Sequence, residues 1–281
     1  MQLPQIGFSL EAQYALPTEQ VLALLHNAGF SAVSPVRTSD AALAAIAAGA
    51  EAYGITLQSL HGPTTGIPLL WQPDAAEMVL QSVLQSLDAC VRFGIPVLVM
   101  HGWQGLGYAV PDTPDFRCFD AMVDHADRAG VRIAFENLEG EEYLAALLNR
   151  YHHQSHVGFC WDSGHDRCYP HRLDFLQEFG DRLMMTHLND NFGVRDPLGV
   201  PTTKDDLHYL PFDGDQDWTH TLSRLSQAHR QEILNFELKI RTRTVHDNRY
   251  DQLPLAQFFR EAGIRAQKIA NQYAHITNQA P

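Results

Sequence analysis

Histidine, aspartate and glutamate residues recur at the ends of short apolar runs along this sequence. The stretch "VGFCWDSGHD" places Asp162 at the end of such a run and His165 three residues later. The same pattern appears in "LQSLH", "VLVMH", "IAFE", "LMMTH" and "ILNFE", which end in His61, His101, Glu136, His187 and Glu237. Imidazole and carboxylate groups bind divalent metals and transfer protons. Such residues would form a reactive site if the fold brought them together.

Eight short apolar runs are separated by helical patterns such as Thr18–Ala28, Asp74–Phe93 and Cys118–Ala129. Gly94 and Gly130 stand where a helix would stop before the next strand. The alternation predicts an α/β protein, and eight repeats favour one closed (β/α)8 TIM barrel domain over residues 1–281. The predicted strands are Ile6–Leu10, Ser31–Val36, Thr56–Leu60, Val97–Met100, Val131–Phe135, Val157–Trp161, Leu183–Thr186 and Glu232–Phe236.

In a barrel of this kind the carboxyl ends of all strands meet at one face. The six strand-end residues would therefore converge on one region. Crowded carboxylates and imidazoles repel or desolvate one another unless cations neutralise them. The set thus predicts a metal site, although any single histidine in it could be a hydrogen-bonded structural group.

Further polar residues follow the later strands. Asp206 and His208 form a D-x-H pair in the loop after the seventh run. Asp190, in the turn-rich segment "HLNDN", either belongs to the site or caps the next turn. Trp103 follows the fourth run and could form an apolar wall beside a ligand.

These segments resemble the xylose-isomerase-like barrel superfamily, which includes sugar phosphate isomerases and epimerases and the endonuclease IV class of apurinic endonucleases. The matching segments are "LHGP", "MHGW", "FENLEG", "WDSGHD", "HLNDN", "DLHYLPFDGDQDW" and "NFELK", in family order. Resemblance to the epimerases implies one divalent cation, commonly manganese, held by Glu136, Asp162, His187 and Glu237, with His165 contacting the substrate. Resemblance to the endonucleases implies three zinc ions, with additional ligands at His61, His101, His165, Asp206 and His208. Acceptable residues occur at every position of both schemes, so the number of metals stays open.

The first functional hypothesis is a metal-dependent isomerase or epimerase of a sugar, sugar phosphate or polyol. A cation would stabilise an enediolate, while Glu136 and Glu237 act as base and acid. Asp162 and His187 would be fixed ligands, and His165 would orient a substrate oxygen. The resemblance to the epimerases makes manganese the favoured metal, and the histidine–carboxylate ligands would also accept zinc, cobalt, iron or magnesium. A dehydratase or lyase acting through the same enediolate would need the same groups.

The second hypothesis is a multi-zinc phosphodiesterase of the endonuclease IV type. The residues permit its metal cluster, but the chain carries 33 acidic residues against 20 Lys plus Arg, a net charge of −13. An acidic surface disfavours nucleic-acid binding, so a small carbohydrate is the expected partner. A barrel without catalytic function, serving only as a binding module, would leave buried strand-end acids at a cost in stability.

Arg37 and Lys239 lie near strand ends and could bind a substrate phosphate or carboxylate, although structural ion pairs are the simpler assignment. Lys239 also begins a basic group that continues with Arg241, Arg243 and His246. A phosphate-bearing substrate would suit this group, and a solvated loop is the alternative.

Neither a membrane-spanning apolar stretch nor the layout of a signal peptide is present in the sequence. The four cysteines lack the spacing of a metal finger or a CxxC motif. These features predict a cytoplasmic protein without a membrane partner, and a homo-oligomer is left open.

Overall fold

The computed structural model describes residues 3–106, 114–169, 171–241 and 249–279. Parallel strands form two adjoining sheets in the orders β3-β2-β1-β9 and β4-β5-β6-β7-β8. The strands are β1 (Gln5–Leu10), β2 (Ala32–Pro35), β3 (Thr56–Leu57), β4 (Leu60–His61), β5 (Val97–His101), β6 (Arg132–Glu136), β7 (Val157–Asp162), β8 (Leu183–His187) and β9 (Ile233–Phe236). Parallel bridges from Val36 to His61 and from Leu188 to Phe236 join the two sheets. The closed ring of strands is the predicted TIM barrel.

Helices cover the outside of the ring. They are α1 (Thr18–Asn27), α2 (Asp40–Tyr53), α3 (Glu77–Phe93), α4 (Arg117–Ala129), α5 (Glu141–Arg150), α6 (Ser163–Cys168), α7 (Phe175–Phe179), α8 (Trp218–Leu225) and α9 (Leu255–Gln279), with 3-10 turns at Ile67–Trp71, Pro73–Ala75 and Gly180–Arg182. Gly94 and Gly130 end α3 and α4 in the left-handed conformation, with φ of 67° at both, as their positions predicted. Among the described residues, no helix is both long and apolar enough to cross a bilayer.

Two predicted elements differ from the structure. The expected third strand, Thr56–Leu60, is split because the chain changes partner: Thr56–Leu57 pairs with β2, whereas Leu60–His61 pairs with β5. The helix expected from Asp74 begins only at Glu77, because Pro73 starts a separate 3-10 turn that includes Asp74.

The barrel interior is filled by alternate residues of the strands. Val97, Val99, Ala134, Cys160 and Met185 form a small buried group of their own. Because side chains two residues apart share a face of a strand, His101, Glu136, Asp162 and His187 form the next inward-facing layer above this group. The pairing register places His101 beside Glu136 and Asp162 beside His187. The register therefore sets the lateral order of the site residues.

Gly263 in α9 packs closely against the end of α1. A Cβ at Gly263 would lie 2.0 Å from the carbonyl oxygen of Ala28. We expect Gly263→Ala to destabilise the fold by about 1–3 kcal/mol, because main-chain atoms cannot move aside as a side chain can, and this outweighs the gain in helix propensity. Urea denaturation measures the change.

Gly49→Ala in α2 is the matched control for this prediction. There the Cβ would meet Cδ1 of Leu22 at 2.5 Å, the mobile end of a side chain that can rotate away. A smaller loss is therefore expected at Gly49. Equal or greater stability of Gly263→Ala compared with Gly49→Ala would show that the α1–α9 contact is not tightly packed.

Candidate metal centre

The strand-end residues converge at the carboxyl face of the barrel. His61, His101, Glu136, Asp162 and His187 are the last residues of β4 to β8, and Glu237 directly follows β9. His165 lies in α6, while Asp206 and His208 lie in the segment between β8 and α8. All nine side chains predicted as ligands or additional ligands thus surround one region of the structure.

Four of these residues form the central donor group. Ligand atoms of Glu136, Asp162, His187 and Glu237 all lie within 4.8 Å of one another. Nδ1 of His187 is 2.9 Å from Oε1 of Glu136 and 3.0 Å from Oε2 of Glu237. One imidazole nitrogen therefore faces two carboxylates, as expected of donors arranged around a common point. This group could hold one divalent cation.

Two outer donor groups flank the central one. In the first, Nε2 of both His61 and His101 lies 3.3 Å from Oε2 of Glu136, so Glu136 belongs to both groups. In the second, Oδ2 of Asp206 lies 3.5 Å from Nε2 of His165 and 3.0 Å from Nε2 of His208. The arrangement could hold further cations beside the central one.

Backbone and amide oxygens fix the orientation of four histidine rings. Nδ1 of His61 faces the carbonyl of Gly62 at 3.0 Å, and Nδ1 of His101 faces Oε1 of Gln104 at 3.0 Å. His165 and His208 face the carbonyls of Asn137 and Glu237 in the same way, at 2.9 and 3.1 Å. Because a carbonyl oxygen only accepts, Nδ1 of each ring carries the hydrogen. Each Nε2 is then the ring nitrogen directed at a carboxylate and the one that would bind a cation.

Buried polar atoms without hydrogen-bond partners support the fit of a metal. Nε2 of His101, Oε2 of Glu136 and Oδ1 of Asp206 are buried and accept or donate no hydrogen bond among the described residues. Such atoms cost free energy unless something satisfies them. Nitrogen and carboxylate donors of this kind suit manganese, zinc, iron or cobalt. The residues present therefore fit a divalent cation.

The pKa values of Glu136 and His165 show that neighbouring carboxylates and imidazoles stabilise each other's charged forms. Burial alone would raise the pKa of Glu136, but His187 and His101 hold it well below its usual range. Burial would lower the pKa of His165, but Asp162 and Asp206 raise it well above the ordinary value. Protons and a metal therefore compete for the same positions on these rings.

Two asparagines that the sequence analysis did not single out hold Asp162. The side chain of Asn189 donates to both carboxylate oxygens of Asp162, at 3.0 and 2.9 Å. Asn137 accepts from the backbone N–H of Asp162 at 2.7 Å and donates to its carbonyl at 2.9 Å. Gly164 leaves room for this contact, since a Cβ there would lie 1.9 Å from Oδ1 of Asn189. The sequence could have identified both asparagines, because Asn137 in "FENLEG" and Asn189 in "HLNDN" stand beside predicted ligands.

Cys160 is a further donor that was not predicted. Its sulfur lies close to ligand atoms of Glu136 and His187. Burial raises the pKa of the Cys160 thiol to about 12, so the thiol is protonated at neutral pH. Its position two residues before Asp162 on the same face of β7 could have identified it.

A cavity of about 510 Å³ opens above the donors, and its lining includes His61, His101, His165, Asp206 and Glu237. Arg37 and Lys239 also line it, but each has a carboxylate partner: Asp40 at 2.9 Å and Glu237 at 3.3 Å. Glu11 and Glu139, which were not predicted, line the cavity as well.

Trp103 lies outside the lining of this cavity. Its ring stacks on Tyr143 with centroids 4.2 Å apart, and the side chain is buried. Arg241 is exposed, and the predicted basic residues Arg243 and His246 lie outside the described residues.

A second cavity, of about 540 Å³, lies at the opposite end of the barrel. It is lined by the starts of several strands, including Val97, Val157, Leu183 and Ile233. None of the donor groups lies there. Size alone does not identify a site, and the donor groups lie at the carboxyl face, where barrel enzymes place their active sites.

Comparisons with known proteins agree with this fold. A sequence model described as xylose isomerase-like TIM barrel matches residues 22–262, and the chain belongs to this family. The uncharacterized protein y4fM of Sinorhizobium fredii is 36% identical over 146 residues, which span 50% of this chain and 43% of that protein. The chain therefore matches less than half the length of this curated relative.

Solved structures with the same fold have low sequence identity to the chain. The IolI protein with a bound zinc atom superposes with a TM-score of 0.72 at 16% identity, covering 96% of this chain and 99% of that one. L-ribulose 3-epimerase gives 0.70 at 12% identity, covering 99% and 100%. The 3-keto-D-glucoside 4-epimerase YcjR from E. coli gives 0.65 at 15% identity, covering 98% and 99%.

Asn189→Ala tests whether the amide orients Asp162 for metal binding. We expect the zinc affinity of the metal-free protein to fall roughly 10- to 100-fold, because partners that orient a ligand contribute this much in other sites. Competition with a chromophoric chelator measures the affinity. Asn271→Ala is the control, since the side chain of Asn271 accepts from Gln267 on the exposed side of α9, away from the donor groups. Unchanged affinity in Asn189→Ala would contradict the orienting role.

Proposed function

We propose that this protein is a divalent-metal-dependent enzyme that isomerises or epimerises a small carbohydrate by proton transfer next to a carbonyl. The observation that carries the proposal is the four-donor group of Glu136, Asp162, His187 and Glu237 at the base of the cavity. A cavity of about 510 Å³ is in the range typical of small-molecule sites. We further propose that residues 1–281 form one domain, located in the cytoplasm.

When bound, the cation would supply Lewis-acid stabilisation of the negative charge that develops on the substrate oxygens. Manganese is our first choice, with zinc, cobalt, iron or magnesium as alternatives, since a histidine–carboxylate set accepts several of these. Zinc is supported by the bound zinc atom of the IolI structure.

Glu237 is the best-placed group for proton transfer. It lines the cavity, and its side chain is 18% exposed. Burial would raise its pKa, but Lys239 and His208 hold the pKa of Glu237 well below its usual range, so it can accept a proton as a carboxylate. Glu136 would be the second proton-transfer group, although it is buried at the base of the donor set. The greater exposure of Glu237 favours it as the base.

His165 and the cavity cations complete the proposed substrate site. His165 lines the cavity and would orient a substrate oxygen through Nε2. Arg37 and Lys239 would contact substrate hydroxyl or carboxylate oxygens from the rim while keeping their carboxylate partners. The names of two solved relatives, both epimerases of carbohydrates, support this substrate class.

A phosphodiesterase with several zinc ions is the second candidate. The specific observation in its favour is that both outer donor groups, His61–His101–Glu136 and His165–Asp206–His208, are assembled beside the central group. A net charge of −13 opposes a nucleic-acid substrate. A dehydratase or lyase would use the central group as the isomerase does and differs only in its product.

Metal content separates the two candidates. We expect about one equivalent of divalent metal per chain in the wild type and its loss in Glu136→Gln, because Glu136 belongs to the central group. Elemental analysis after reconstitution with manganese, and separately with zinc, measures this. Glu139→Gln is the control, since Glu139 lines the cavity outside the donor groups. Three equivalents of zinc would favour the phosphodiesterase, and none in the reconstituted wild type would exclude both mechanisms.

Proton transfer is tested by incubating the metal-loaded protein with a panel of ketoses in D2O. We expect deuterium at the carbon next to the carbonyl, detected by NMR, and a decrease in rate of roughly 10²- to 10⁴-fold in Glu237→Gln at matched metal content. Glu178→Gln, at an exposed position of α7 outside the cavity lining, should keep the wild-type rate. Loss of water from the sugar would indicate the dehydratase, while a panel with no exchange and no product would contradict the proposed reaction.

A further inference from the structure

Asp190 is fully buried three residues beyond His187 and belongs to none of the donor groups. One carboxylate oxygen accepts from the backbone N–H of Phe212 at 2.9 Å and from the indole N–H of Trp218 at 3.1 Å. The other accepts from the backbone N–H of Gln216 at 3.1 Å. One side chain thus binds a segment more than twenty residues further along the chain.

The main chain of Asp190 binds the same segment. Asp190 and Tyr209 form an antiparallel bridge, with the N–H of Asp190 donating at 3.0 Å and the N–H of Tyr209 donating at 2.8 Å. Tyr209 directly follows His208, whose Nε2 lies 3.0 Å from Asp206. The bridge is therefore adjacent to an outer donor group.

Backbone strain marks the same stretch. Among the described residues, His208 and Phe212 are the two non-glycine residues with positive φ, at 48° and 73°. Such conformations persist only where the surroundings impose them, and they concentrate at functional sites. Asp190 holds both ends of the stretch, through the bridge beside His208 and the bond to Phe212.

The segment also approaches Asp190 too closely for a side chain. A Cβ added to Gly214 would lie 2.3 Å from Oδ1 of Asp190 and 2.4 Å from the carbonyl of Asn191. Glycine at 214 therefore lets the main chain reach the carboxylate. Replacing it would push the segment away while leaving Asp190 intact.

We propose that Asp190 is a positioning residue that holds residues 206–218 so that Asp206 and His208 face His165. Its side chain does not reach the donor groups; it acts through the backbone of Tyr209 and the bonds to Phe212, Gln216 and Trp218. The placement of the segment stands on geometry alone. Its consequence for metal binding rests on the second candidate function above, in which the outer group of His165, Asp206 and His208 binds zinc.

Hydrogen–deuterium exchange on the metal-free protein tests the placement. In Asp190→Asn an amide NH2 replaces one accepting oxygen, so a side-chain bond to the segment is lost. Because the loosened segment also opens the neighbouring bridge, we expect the amide of Tyr209 to exchange about ten-fold faster or more, the factor for loss of a bond to a charged acceptor. Gly214→Ala should give the same local effect from the other side of the contact. If Asp190→Asn does not fold, Gly214→Ala alone tests the placement of the segment.

Asp217→Ala is the matched control. The carboxylate of Asp217 likewise accepts from two backbone N–H groups, those of Thr219 and His220. These bonds cap α8 at the far end of residues 206–218 and do not connect the segment to Asp190. Faster exchange at Tyr209 in Asp190→Asn or Gly214→Ala, but not in Asp217→Ala, supports the proposal. Equal exchange in all three variants, or no change at Tyr209, overturns it.

Zinc stoichiometry of the same variants gives the second readout. If the outer group of His165, Asp206 and His208 binds zinc, Asp190→Asn should lose that equivalent and keep the one bound by the central group. A wild type that binds no outer zinc, together with faster exchange in Asp190→Asn, would refute the outer metal and leave the positioning role supported. Retention of every equivalent despite faster exchange would overturn the link from Asp190 to metal binding.

Discussion

A carboxylate with almost no solvent exposure lies among four imidazoles at the carboxyl end of the barrel. Oε1 of Glu136 is 2.9 Å from His187 and 3.4 Å from His165, while Oε2 is 3.3 Å from His61 and from His101. An isolated buried charge would cost several kcal/mol, so this carboxylate must be neutralised by protons on its neighbours or by a cation. The surrounding structure serves this requirement. Backbone carbonyls orient His61 and His165, and the side chain of Gln104 orients His101. The register of the strands fixes the backbone.

Small residues beneath the site support the donor side chains. Val99, Ala134 and Cys160 fill the barrel below the donor layer, so the donor side chains pack against a filled interior. Above them the cavity is open, which gives Glu237 and His165 access to a ligand while Glu136 stays beneath. The site thus combines a buried charge-balancing carboxylate, Glu136, with a partly exposed one, Glu237.

Much of this organisation follows from local sequence. Apolar runs ending in His101, Glu136, Asp162 and His187 predicted both the barrel and the residues that meet at its carboxyl face. This prediction was possible because the carboxyl ends of all strands in a parallel barrel lie at the same face. The partner switch that splits the third strand was not predictable, since it depends on which neighbour each half meets. The hydrogen bonds of Asn189 and Asp190 were also not predictable, because they are tertiary contacts between separate segments of the chain. Both residues stood in a recognised segment, but the bonds of Asp190 reach residues distant in sequence, and local periodicity carries no information about them.

The sharing of Glu136 between two donor groups has a thermodynamic consequence. Its two oxygens face different groups, so a cation or proton bound at one oxygen withdraws electron density from the other. Occupancy of the His61–His101 side and of the His187 side would therefore be linked, and linkage is reciprocal: each occupant would change the affinity of the other by the same factor. If both sides bound an ion or a proton, the affinity of one side would depend on what already occupied the other.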